Sequence, residues 1–197
     1  MIIDITLIVG AYLFGSLAAA IILCRILGLG DPREAGSGNP GATNVMRLHG
    51  KKAGIIALLG DLLKGVIPVL LARYVGANDT IIALTALAAF IGHLFPIFFG
   101  FKGGKGVATL LGVLMATSWL AGLLFILTWI IVALLFRYSS LASLTSAMIM
   151  LVYVCFLLPY YSYLICFSIM VMLLLWRHRP NIEKLLAGTE SKIGPSR

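Results

Sequence analysis

The sequence predicts an all-α integral membrane protein with seven transmembrane helices, one of them short or re-entrant, the N-terminus outside and the C-terminus cytoplasmic. Of its 197 residues, 61% are hydrophobic and 11% charged, and the mean hydropathy is +1.07. Such a chain has too little polar surface to cover a soluble globule of its size, so its partner is the lipid bilayer. Apolar runs near the length of one crossing, about 20 residues, alternate with short polar loops. The net charge of +8 is spread among those loops and forms no basic arm or stripe, so nucleic acid is not expected as a partner. Cys24, Cys155 and Cys166 stand alone in apolar segments, with no CxxC and no histidine at ligand spacing. No disulfide, metal or cofactor is expected.

The first apolar run, residues 5–27, has no basic flank ahead of it and no small-residue cleavage site behind it. It is expected to stay attached as the first membrane helix. Gly10, Gly15, Ser16 and the alanines at 18, 19 and 20 suit it to close helix packing. Residues 28–53 form the first polar loop, and residues 54–75 the second span. Asp61 and Lys64 share one face of that span, as a structural ion pair or as part of a site. A short turn at 77–79 leads to a third span at 80–99, then a glycine-rich loop at 100–106. Residues 107–136 run apolar throughout, spans follow at 141–158 and 163–176, and a polar tail begins at Arg177.

Sidedness decides how residues 107–136 fold. Twelve of the 15 Lys and Arg residues fall in the first loop, the second loop, the break at Arg137 and the tail, while the connectors near 77 and 160 have none. The positive-inside rule places those four regions in the cytoplasm. Two cytoplasmic regions therefore flank residues 107–136, and the run must cross an even number of times. It is expected to break near Thr117, Ser118 and Trp119 into two elements, one unusually short. Five full crossings with a shallow or re-entrant pair are a variant of the same topology. The chain reads as one domain, residues 1–197, with motif loops at 36–47, 100–109 and 176–184 on one membrane face.

The first loop crowds glycine, proline, serine, threonine and asparagine together, a composition that turns the backbone and frees donors for an oxygen-rich anion. Arg47 adds a permanently charged fork for phosphate or carboxylate. The second loop fails the GxxxxGK[ST] phosphate-loop pattern, because Phe99 and Gly106 occupy two of its defining positions. Its glycines nevertheless allow close backbone approach, Lys102 and Lys105 carry charge, and Val107 and Thr109 begin a helix whose N-terminus favours anions. His93, seven residues before that loop, reads as a hydrogen-bonded packing residue. In the third motif Pro180 suits the first turn of a short helix, with His178 just ahead of it and Asn181 and Glu183 in that turn. His178 could accept a proton from a hydroxyl or donate a hydrogen bond to phosphate. Together these residues predict an anion site at the cytosolic bilayer edge, suited to a phosphate-bearing amphiphile, a soluble phosphate compound, or both. A transporter of phosphate or an organophosphate is the rival reading, but its site should lie near the midplane.

The strings SGNPGATNVMR, GHLFPIFFGFKGGKGVAT and RHRPNIEKLLAGTE, in that order, resemble the bacterial acyl-phosphate:glycerol-3-phosphate acyltransferases, the PlsY family. The resemblance runs from the first helix to the tail. It implies transfer of a fatty acyl group from acyl phosphate to the 1-hydroxyl of glycerol 3-phosphate, giving lysophosphatidic acid and inorganic phosphate in phospholipid biosynthesis. It implies the bacterial cytoplasmic (inner) membrane, and a donor that is neither acyl-CoA nor acyl carrier protein. By matching position it makes Ser37, Asn39, Thr43, Asn44 and Arg47 substrate ligands, with Ser37 and Arg47 expected to be catalytic, and sets Gly103, Gly104, Lys105 and Gly106 around the phosphate of glycerol 3-phosphate. Gly41 and Thr109 are expected to bind substrate or phosphate beside them. It gives His178 and Asn181 essential roles and Glu183 a supporting one. No serine or cysteine has an obvious activating base, so direct transfer without an acyl-enzyme is expected.

Overall fold

The structure, a computed structural model, describes residues 1–194. Arg197, one of the tail charges counted above, lies outside the described residues. The described residues are helical, with no strand: α1 (Ile2–Gly15), α2 (Ala19–Ile26), α3 (Ala42–Tyr74), α4 (Asp79–Leu94), α5 (Val107–Thr117), α6 (Trp119–Phe136), α7 (Ser139–Leu157), α8 (Tyr161–Arg177) and α9 (Arg179–Leu186). A short 3-10 turn, Ile97–Phe99, follows α4 past Pro96.

The single span expected at 5–27 is broken. α1 and α2 meet at a 47° bend, where the Ser16 hydroxyl turns back onto the Tyr12 carbonyl at 2.8 Å. The break frees the Leu17 carbonyl, and Lys64 Nζ on α3 satisfies it at 3.2 Å. Lys64 also lies 2.9 Å from Asp61, both buried. The pair thus joins two helices, a structural task consistent with the steep cost of leaving either charge alone in an apolar interior.

A second correction concerns residues 28–53, expected to be a loop throughout. The α-helix begins at Ala42, so Thr43, Asn44 and Arg47 project from a helical turn; the helix then kinks at Gly50, which takes φ 84° and ψ 173°. Polar composition had imitated a loop. Glycine's tolerance of positive φ is what lets the chain turn there from a surface helix into a membrane-embedded one.

The expected break in residues 107–136 falls at Ser118, whose hydroxyl caps α6 by accepting from the Ala121 amide. α5 has 11 residues, about 16 Å at 1.5 Å per residue, against a hydrocarbon core of about 30 Å. Its last carbonyls, on Ala116 and Thr117, accept from the Arg73 guanidinium at 2.6 and 3.1 Å. α5 is held by α3 at very short range: a Cβ on Gly65 would meet the backbone at Thr109 and Val113, and one on Gly112 the carbonyl of Leu62. α1 and α4 pack by the same device, through Gly15 and Gly92. Small residues let backbones approach where lipid supplies no hydrophobic drive between helices.

α3, α4 with its 3-10 turn, α6 and α7 are each long and apolar enough to cross a membrane. The bent pairs α1–α2 and α8–α9, the second bent by 58°, raise that number to six among the described residues. Leucines and isoleucines ring the outside of these helices, with Leu134 76% and Phe156 83% exposed, as lipid contact requires.

Candidate active site

α5 starts directly after the glycine loop, and the break between α8 and α9 opposes it. Between them and the first turns of α3 lies a cavity of about 540 Å³. One end is polar, walled by Ser37, Asn39, Thr43, Arg47, Lys105, His178 and Asn181. The other end is an apolar arm formed by Leu58 and Leu62 on α3, Leu111 on α5, and Phe125, Trp129 and Ile130 on α6. Leu58 and Ile130 are 41% and 44% exposed, so the arm opens sideways onto the apolar belt of the protein.

Arg47 is exposed and makes no hydrogen bond or ion pair among the described residues, leaving its fork available to an anion. Lys105 Nζ donates to Asn181 Oδ1 at 2.6 Å. Burial holds its pKa below the usual lysine value; Glu190 works against that, and Lys184, Arg177 and Arg47 add to it. Asn181 in turn donates from Nδ2 to Glu190 Oε1 at 2.8 Å, and the same oxygen accepts from Ser140 at 2.6 Å. This Lys105–Asn181–Glu190–Ser140 chain ties the second motif to the third and both to α7.

His178 sits in the break beyond α8, 3% exposed. Its Nδ1 faces the Leu174 carbonyl at 2.9 Å. A carbonyl only accepts, so Nδ1 carries the proton and Nε2 keeps its lone pair. Burial pushes the His178 pKa down to about 4; the Leu174 carbonyl opposes this, while Lys105 and Arg177 reinforce it. The ring is neutral at physiological pH and offers Nε2 as an acceptor.

The other expected contact residues divide between the cavity wall and the packing behind it. Asn44 lines the cavity, yet it is buried, and both its amide hydrogens go to the loop, to the Pro32 and Ala35 carbonyls, while its Oδ1 accepts from the Ser37 amide. It organises the loop that presents Ser37 and Asn39. Gly41 and Gly106 are in the cavity wall, Gly106 at φ 92° beside Phe90. Gly103 and Gly104 are buried behind it, packed against His93. Thr109 is fully buried and donates to the Asp61 carbonyl at 2.8 Å, pinning α5 to α3. Glu183 is exposed and outside the cavity wall.

One carboxylate of the cavity wall, Glu190, escaped the sequence reading as an individual residue. Its signal was the Gly188-Thr189-Glu190 ending of the third motif. Gly188 takes φ 70° after α9, and the Thr189 amide closes on the Lys184 carbonyl at 2.8 Å, which turns the tail back over the cavity. Beyond Glu190, Ile193 pairs with Arg137 through its amide and carbonyl. Asp61 and His93 also reach the cavity wall, with His93 Nδ1 3.6 Å from Asp61 Oδ1 and without a hydrogen-bond partner.

A family model described as glycerol-3-phosphate acyltransferase matches residues 5–188. The chain belongs to the glycerol-3-phosphate acyltransferase family. A relative of that name from Methylococcus capsulatus is 52% identical over 187 residues, covering 95% of this chain and 94% of its own. Another, from Thioalkalivibrio sulfidiphilus, is 52% identical over 194 residues, with 98% and 96% coverage. Among solved structures, the chain is similar to the integral membrane glycerol 3-phosphate acyltransferase PlsY (YgiH). Its glycerol 3-phosphate form superposes with a TM-score of 0.93 at 40% identity, covering 97% of this chain and 96% of that one. Its lysophosphatidic acid form gives 0.91 at 39%, covering 97% and 95%. The family assignment and the apolar helices together make this chain an integral membrane protein.

Proposed function

We propose that this chain transfers a fatty acyl group from acyl phosphate to the 1-hydroxyl of glycerol 3-phosphate, at the cytosolic face of a bacterial inner membrane. Seven membrane-embedded helices, α5 being the short one and α1–α2 counting as one, carry it with the N-terminus outside. The observation that carries the reading is the two-part cavity. Its polar end holds two cationic groups suited to phosphate, Arg47 and Lys105, with the acceptor Nε2 of His178 suited to a hydroxyl, and its apolar arm suits a fatty chain. A relative solved with glycerol 3-phosphate and with lysophosphatidic acid supports the same pairing of a soluble phosphate and an amphiphile.

Acyl phosphate is a mixed anhydride, so the site's work is positioning and charge stabilisation. The 1-hydroxyl oxygen attacks the acyl carbonyl, the carbon–oxygen bond to phosphate breaks, and phosphate leaves with the electron pair. Arg47 and Lys105 offset repulsion between the two phosphates. The hydroxyl proton goes either to His178 or to the departing phosphate. A His178 pKa near 4 favours phosphate, since even a phosphate monoester has its second ionisation at about 6. In that case His178 Nε2 orients the hydroxyl by accepting its hydrogen bond. Cys24 and Cys166 are buried and Cys155 is outside the cavity wall, which supports direct transfer over a cysteine-borne intermediate.

The test is to incubate the purified protein with acyl phosphate and labelled glycerol 3-phosphate, with no thioester present. Labelled lysophosphatidic acid is expected; its absence, with transport of glycerol 3-phosphate into vesicles, would give the rival transporter reading.

A further inference from the structure

We infer that Arg177 is a positioning residue that clamps the Gly103-Gly104 turn against His93 and so sets Lys105 and Gly106 in the cavity wall. This rests on the function proposed above. By charge alone Arg177 would be taken for another phosphate ligand, since it adjoins His178 and lies close enough to Lys105 to lower its pKa. Two of its donors are already engaged elsewhere: Nε donates to the Gly104 carbonyl at 3.1 Å and Nη2 to the Gly103 carbonyl. Arg177 is also outside the cavity wall.

The turn needs such a clamp. The amides of Gly103, Gly104 and Lys105 donate no hydrogen bond among the described residues, so no secondary structure of its own fixes the turn. The opposite side is closed by the end of α4: a Cβ on Gly103 would strike the His93 and Leu94 carbonyls, and one on Gly104 the His93 imidazole. Two glycines are therefore held in a slot, His93 beneath and the Arg177 fork above. Two consecutive carbonyls match a planar two-pronged donor, which lysine cannot reproduce. Because His178 follows directly on Arg177, the end of α8 sets the catalytic ring and the phosphate-facing lysine as one unit.

The experiment compares kcat and KM for glycerol 3-phosphate in wild type, Arg177→Lys, Arg177→Gln, Lys105→Ala and the Arg177→Gln/Lys105→Ala double variant, each checked for monodispersity in detergent. Displacement of a positioned group by about 1 Å costs on the order of 100-fold, so Arg177→Gln is expected to lower kcat/KM by about that factor. Arg177→Lys should recover part of it, mainly by restoring KM. In the double variant, Arg177→Gln should add less than about 3-fold to the Lys105→Ala loss, because it acts through Lys105. Fully additive losses would make Arg177 a substrate ligand in its own right and overturn the inference, as would wild-type kinetics in Arg177→Gln. Should Arg177→Gln fail to fold, Arg177→Lys decides: a raised KM supports the clamp and unchanged kinetics overturn it. A wild-type protein that makes no labelled product defeats the functional reading instead, so the two failures are distinct.

Discussion

His178 keeps Nδ1 committed to a carbonyl and has its pKa pushed down to about 4, which has consequences for stability and for rate. Between pH ~6.5 and ~4 the unfolded chain binds a proton that the folded chain refuses, so stability falls as pH falls through that window. The full shift corresponds to roughly 3 kcal/mol. The thermal midpoint of the wild type should therefore drop more steeply from pH 6.5 to 4.5 than that of His178→Gln; parallel curves would show that the ring is not desolvated. On rate, substrate phosphate as proton acceptor predicts that His178→Gln keeps the wild-type pH profile while turning over more slowly. A profile that loses its acidic limb would make the histidine the base. Arg47→Ala, which removes a fork with no partner among the described residues, should leave folding intact. It should cut kcat/KM by ~100-fold or more, since charge-assisted hydrogen bonds contribute about 1.5–3 kcal/mol each. Near-normal turnover would remove Arg47 from the site. Arg47, Lys105, His178 and Asn181 could be picked from the sequence because charge and polarity are conspicuous in greasy surroundings. Asn44 and Thr109 were equally conspicuous, yet their side chains bond inside the protein, and Gly103 and Gly104 are packed behind the wall, for residue type reveals hydrogen-bonding capacity without naming the partner. Glu190 depends on a reversal at Gly188, which only the folded tail makes visible.

Among the elements, the one that charge counting predicted best is the α5–α6 pair, broken at Ser118 as the even number of crossings demanded. Its shortness was legible as arithmetic; its partner was not. α5 survives as an 11-residue helix because α3 meets it backbone to backbone at Gly65 and Gly112. Gly112→Val should force the two helices apart at a cost of about 1–3 kcal/mol, lowering the thermal midpoint by ~3–10 °C at this chain size. Gly10→Ala, whose added methyl meets open space, should leave the midpoint unchanged or slightly raised. Equal effects at the two positions would contradict the close packing. The start of α3 was misread because helix and loop cannot be told apart by polarity when a helix lies at the surface; the Gly50 kink separates its two parts.

At the scale of the whole molecule, the proposed topology puts residue 52 in the cytoplasm and residue 80 outside. In a chain with its three cysteines replaced by alanine, Thr80→Cys should react with an impermeant thiol reagent on intact cells. Lys52→Cys should react only after permeabilisation; the reverse pattern would invert the protein. The sideways opening of the cavity arm, at Leu58 and Ile130, separates the routes of the two proposed substrates. Glycerol 3-phosphate arrives from water and is counted per litre, whereas an acyl phosphate arrives through lipid and is counted per lipid molecule. Rates measured in mixed micelles should accordingly fall when inert detergent is added at constant bulk donor concentration, and recover when donor and detergent rise together. For this protein, saturation is a matter of how crowded the surface is.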